Sequence, residues 1–96
     1  MRNELCKLIA RYSEEEVISQ KETEVFCRKK SAVRSEFYAA YAVGLHPRIV
    51  LEIDPMDWEY AAGPDGAPTM VSYHGKLYNI YRDYQTDEST MELTVG

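Results

Sequence analysis

The sequence predicts a mainly β domain, a small barrel of about six antiparallel strands with one short α-helix between the second and third. Three observations carry that expectation. Alternating or β-branched stretches of four to nine residues recur along the chain, turn-forming clusters separate them, and only one segment, residues 35–45, carries helix start and stop signals. With 96 residues there is room for one domain, 1–96, and one core, which would bury ~60–70% of the surface the unfolded chain exposes.

The elements follow in order. Residues 5–12 alternate polar and apolar, residues 13–20 carry the acidic block Glu14, Glu15 and Glu16, and residues 22–30 form a second strand centred on Val25, Phe26 and Cys27. These two strands are expected to pair antiparallel. Residues 48–53 contain Ile49, Val50, Leu51 and Ile53, a composition suited to a core strand, and Asp54-Pro55 ends it. Trp58 and Tyr60 are read as closing that strand, before residues 61–68, whose Gly and Pro content makes a loop or wide turn. Residues 70–73 and 76–84 then form a hairpin about His74-Gly75, with Tyr78, Ile80, Arg82 and Tyr84 on one face of its second arm. The last strand is residues 90–95, with Met91, Leu93 and Val95 facing inward. Six strands and one helix in so short a chain fit a barrel or a sandwich, and the barrel is the preferred reading.

The helix carries the functional signal. Ser35 suits an N-cap, Glu36 suits the positive first turn, and Gly44 followed by Pro47 is a stop. From Phe37 to Pro47 there is no Asp, Glu, Lys or Arg, in a chain that is otherwise 28% charged. Phe37, Tyr41 and Leu45 share one face, while Tyr38, Ala39, Ala42 and Val43 fill the others, which leaves no polar stripe for water. A domain this small cannot bury such a helix all round. One side is expected to pack on its own domain and another to meet a second chain, so Arg34, Ser35, Glu36, Phe37, Tyr38, Tyr41 and Leu45 are the candidate interface.

Composition excludes several classes. A net charge of -5 argues against a surface that grips nucleic acid, because that affinity comes from Lys and Arg displacing counterions. Arg28, Lys29, Lys30 and Arg34 are read as a solvated basic group, although opposite patches on one small protein can orient head-to-tail contacts. Cys6 and Cys27 lack CxxC spacing and are read as core side chains. No apolar run reaches the length of a membrane span, and residues 1–5 lack the apolar core of a secretory signal, so residence in the cytosol is expected. His46 and His74 form no metal-ligand pattern, and Asp54, Asp57 and Glu59 with Pro55 do not match a calcium loop. No catalytic residue, metal or cofactor is assigned. A second reading takes Tyr78, Tyr81 and Tyr84 beside Arg82 as a platform for single-stranded nucleic acid, or the barrel as a peptide-binding module. It ranks below the first because Tyr81 alternates away from the other two.

The run from Val25 to Tyr38, then Ala40, Gly44-Leu45 and Pro47, and later Tyr73-His74-Gly75-Lys76-Leu77-Tyr78-Asn79-Ile80-Tyr81-Arg82, resembles the head closure family of tailed bacteriophages. Members are also described as head-tail joining, stopper or minor capsid proteins. The likeness covers residues 5–95 and rests on the order and spacing of these words together. It implies a structural virion protein, present in the host cytoplasm during assembly, that joins the portal and adaptor ring to the tail terminator protein. The resemblance further implies a homo-oligomeric ring, commonly a dodecamer, built from subunits that are monomers in isolation and enclosing DNA without reading its sequence. The family's assembly and channel-closing segment corresponds to residues 31–47 here, the preferred candidate for crossing the channel. The alternative channel loop is residues 54–68 with Trp58 and Tyr60, where this sequence departs from the family pattern.

Overall fold

The computed structural model describes residues 3–30 and 49–96. Six strands, β1 (Glu4–Glu14), β2 (Val17–Lys30), β3 (Ile49–Ile53), β4 (Met70–Tyr73), β5 (Lys76–Gln85) and β6 (Met91–Val95), close into an antiparallel barrel in the order β1-β2-β3-β6-β5-β4. The expected fold class is therefore the one observed. The helix expected over residues 35–45 lies outside the described residues.

Alternation writes the barrel wall. Cys6 and Leu8 of β1, Val25 and Cys27 of β2, Leu51 and Ile53 of β3, and Met91, Leu93 and Val95 of β6 all turn inward and are buried. Each fully buried side chain of this size contributes about 1.5–3 kcal/mol. Cys6 and Cys27 are free thiols in this core. Contact with Cys27, and then burial, pushes the Cys6 thiol upward, which keeps it a neutral packing group.

Two expectations about the chain path are corrected. First, residues 13–20 are not a separate acidic connection: β1 and β2 stay paired down to Glu14↔Val17 and turn on Glu15 and Glu16 alone. Both have positive φ, 49° and 68°, the geometry of a type I′ hairpin, which matches the twist of the strands but is usually left to Asn and Gly. Second, Trp58 and Tyr60 do not close a strand and do not lie in a loop. They sit on a helix, α1 (Pro55–Ala61), between β3 and β4. The helix starts there because Asp54 caps it, accepting from the Met56 N–H at 2.8 Å, and Pro55 occupies the first turn, where its missing N–H costs nothing. Trp58 turns into the barrel core while Tyr60 is 72% exposed.

The far end of α1 is tied to β2. Lys21 Nζ donates to the carbonyls of Tyr60 at 2.6 Å and Ala62 at 3.2 Å, satisfying orphan acceptors at the negative end of the helix. After it, Gly63 and Gly66 exchange both backbone hydrogen bonds, and the Asp65 carboxylate accepts from the Ser13 N–H at 2.8 Å. A side chain at Gly63 would bring its Cβ to 3.3 Å from that of Ala10, so the turn lies close on β1.

One register shift matters for the surface. A bulge between Ile80 and Arg82 splits the face expected for β5. Ile80 pairs with inward Val95, whereas Arg82 and Tyr84 pair with Thr94 and Glu92 and face outward.

Candidate functional site

The outward face of the β2-β3-β6-β5 wall is built from two cross-strand rows. Directly opposite residues of an antiparallel ladder share a face, so the registers run Arg28↔Glu52↔Glu92↔Tyr84 and Lys30↔Val50↔Thr94↔Arg82. Arg28 Nε donates to Glu52 Oε1 at 2.9 Å, a second guanidinium nitrogen reaches the same oxygen, and Lys30 Nζ bonds Glu92 Oε2. The Arg82 guanidinium stands 5.4 Å from the centroid of the Tyr84 ring. Glu52 is only 9% exposed, and its hydrogen bonds from Arg28 satisfy a carboxylate that is largely removed from water.

The basic group read as a solvated patch is thus partly an ion-paired lattice. Sequence reasoning missed it because Arg28–Glu52 and Lys30–Glu92 are contacts across strands distant in the chain. The β-strand period in residues 22–30 and 48–53 would place their side chains on one face, but the register that pairs them is a tertiary property.

This lattice frames the roots of the charge-free segment. Lys30, the last residue of β2, pairs directly with Val50, one residue into β3. The end of β2 and the start of β3, which flank residues 31–48 in the chain, are therefore neighbours in the barrel. The candidate interface residues Arg34, Ser35, Glu36, Phe37, Tyr38, Tyr41 and Leu45 lie within that segment and outside the described residues. The other candidates are separated by α1: Trp58 faces the core, and Tyr60 faces out with Lys21 Nζ 4.9 Å from its ring centroid.

On the same rim, the β4–β5 turn is tied to the start of β1. Tyr73 Oη donates to Glu4 Oε2 at 2.9 Å, His74 Nε2 lies 2.9 Å from Glu4 Oε1, and the Tyr73 and His74 rings stack with centroids 4.0 Å apart. The hydrogen bond from Tyr73, helped by His74, holds the Glu4 carboxyl below its usual value. Burial and the Glu4 contact push the Tyr73 hydroxyl up to about 12. His74, read from sequence as a solvated turn residue, has positive φ and is held by both partners.

The aromatic platform of the second reading is not assembled as a single face. Tyr78 is half-buried against the core, while Tyr84 lies outward beyond the bulge. No group of three or more potential metal ligands occurs among the described residues. The class these features define is a small closed antiparallel β-barrel in which β2 and β3 are neighbours. Comparison with family models, curated proteins and solved structures finds no match.

Proposed function

We propose that this protein is a structural subunit of a bacteriophage head-tail connector, joining the portal and adaptor ring to the tail and helping to close the DNA exit channel. One observation carries the reading: the stretch from Phe37 to Pro47, free of Asp, Glu, Lys and Arg, lies in the chain between β2 and β3, whose facing ends are paired at Lys30↔Val50. A closed barrel whose adjacent strand ends flank an uncharged segment is suited to carrying that segment to a neighbour. The resemblance of the flanking residues to head closure proteins points the same way.

In this reading Phe37, Tyr38, Tyr41 and Leu45, with Arg34, Ser35 and Glu36 at their start, meet neighbouring subunits or the adaptor. The acidic balance of -5 per subunit serves the channel. Phosphates repelled by the wall slide during ejection, so closure falls to a segment that physically crosses the lumen, and residues 31–47 fill that role. The partners are the adaptor and portal ring above, the tail terminator below, and further copies in a ring; the location is the virion.

Deleting the gene from a phage or inducible prophage that carries it tests this. Packaged heads should lose DNA and accumulate beside free tails, and the wild-type gene supplied in trans should restore joined particles. Normal tailed particles from the deletion would refute the connector role.

A further inference from the structure

The outward face of the β1–β2 ribbon carries a pattern that the connector reading does not use. Leu5 is directly opposite Phe26, and Lys7 is directly opposite Glu24. Leu5 and Phe26 are 48% and 58% exposed, an apolar rung left in water. A groove of about 190 Å³ opens beside it, lined by Leu5, Lys7, Glu24, Ser72 and His74. Among the described residues neither Lys7 nor Glu24 is held in an ion pair, although they face one another across the ladder. Further along the same face β1 offers Arg11, opposite Gln20, and β2 offers Glu22, opposite Ile9. Over the rungs from Leu5 to Arg11, then, the outward charges of β1 are cationic and those of β2 opposite them are anionic, whereas Arg28 and Lys30 lie beyond these rungs at the β3 side of β2.

This arrangement is self-complementary. A two-fold axis running along the strands, midway between β1 and β2, carries each strand of one molecule over the other strand of its partner at the same rung. Lys7 then meets Glu24 of the second copy, Glu24 meets the second copy's Lys7, and Leu5 and Phe26 cover one another in the same exchanged way. Isologous contacts require such reciprocity, and a face with its two charges on one strand would not have it. An apolar centre bordered by reciprocal ion pairs is also the usual anatomy of a specific interface.

We propose that this face is the contact of a two-fold dimer in which a second copy of the chain packs with its β1 over β2, centred on the Leu5–Phe26 and Lys7–Glu24 rungs. Where the resemblance to connector proteins implies a free monomer, the register points to a pair. The inference is independent of the connector reading, because it uses no residue of the 31–48 segment.

The test is sedimentation equilibrium of the full chain. Wild-type protein should be a dimer at about 100 µM, within the range expected of a modest interface. Lys7→Glu and Glu24→Lys should each weaken the dimer by at least about tenfold, since each sets like charges against one another across the contact. Mixing the two variants should restore dimer, because one supplies only carboxylates to the contact and the other only ammonium groups. Their mixture repairs the contact between chains but not the pair within either chain, so recovery cannot come from the fold. Phe26→Ser, at an exposed position, should give monomer with an unchanged far-ultraviolet spectrum. A monomeric wild type, or a mixture no more associated than its components, would overturn the proposal.

Discussion

Tyr73 donates its hydroxyl hydrogen to Glu4 at 2.9 Å, joining the end of β4 to the start of β1 across 69 residues of sequence. The two groups titrate at opposite ends of the pH scale. Glu4 is held below its usual 4.5 in the fold, so its contribution to stability is present above that value and lost as pH falls through the lower folded value. Glu4→Gln should therefore lower the melting temperature at pH 7, by a margin that shrinks as pH falls below 4.5.

Tyr73 gives the mirror case. Its folded value is raised from 10.0 to about 12, so its stabilisation is complete below pH 10 and is lost as pH rises through 12. Tyr73→Phe should flatten the alkaline limb of the stability profile measured by urea unfolding between pH 9 and 12. An identical limb in wild type and variant would show that the buried hydroxyl is not linked to folding.

Of the ion-paired carboxylates among the described residues, Glu52, held by Arg28, is the most buried. Removing the cation leaves a carboxylate with 12% side-chain exposure unpaired, and Arg28→Ala should cost about 2 kcal/mol. In a Glu52→Gln background the same change should cost less than about half as much, because no charge is then stranded. Equal costs in the two backgrounds would contradict the pairing.

Trp58 and Tyr60 lie two residues apart on α1 with opposite fates. Trp58→Ala should cost about 3–5 kcal/mol through the cavity it leaves. Tyr60→Ala should stay within about 1 kcal/mol, the loss being its exposed contact with Lys21. Trp58 is the one tryptophan of the chain, so native emission should be blue-shifted and should move to the red on unfolding.

How much of this was legible follows from which signals are local. Alternation and β-branching located all six strands, because a half-buried wall imposes a period of two on residues such as Met91, Leu93 and Val95. The α1 helix was legible too, in Asp54-Pro55 as N-cap and first-turn proline, but a seven-residue helix shows too little periodicity to compete with the neighbouring turn signals. The Glu15-Glu16 turn carried no Asn or Gly, so nothing local marked it. The bulge at Ile80/Arg82 and the Arg28–Glu52 pairing are set by the closure of the barrel, which no local window contains.

The turn itself offers a test. Each left-handed non-glycine residue costs roughly 1 kcal/mol, so replacing Glu15-Glu16 with Asn-Gly should stabilise the protein by about 1–2 kcal/mol in urea unfolding. A destabilised variant would mean that the two carboxylates themselves support the hairpin.

The proposed role of residues 31–48 in assembly is tested most directly by binding of the Phe37→Glu/Tyr38→Glu double variant to the purified portal–adaptor complex of the same phage, followed by negative-stain electron microscopy. The variant should keep the wild-type circular dichroism spectrum and lose the added ring of density that wild type places beneath the adaptor. Undiminished binding by the variant, or a wild type that ignores the connector and instead binds oligonucleotides with steep salt dependence, would contradict the account.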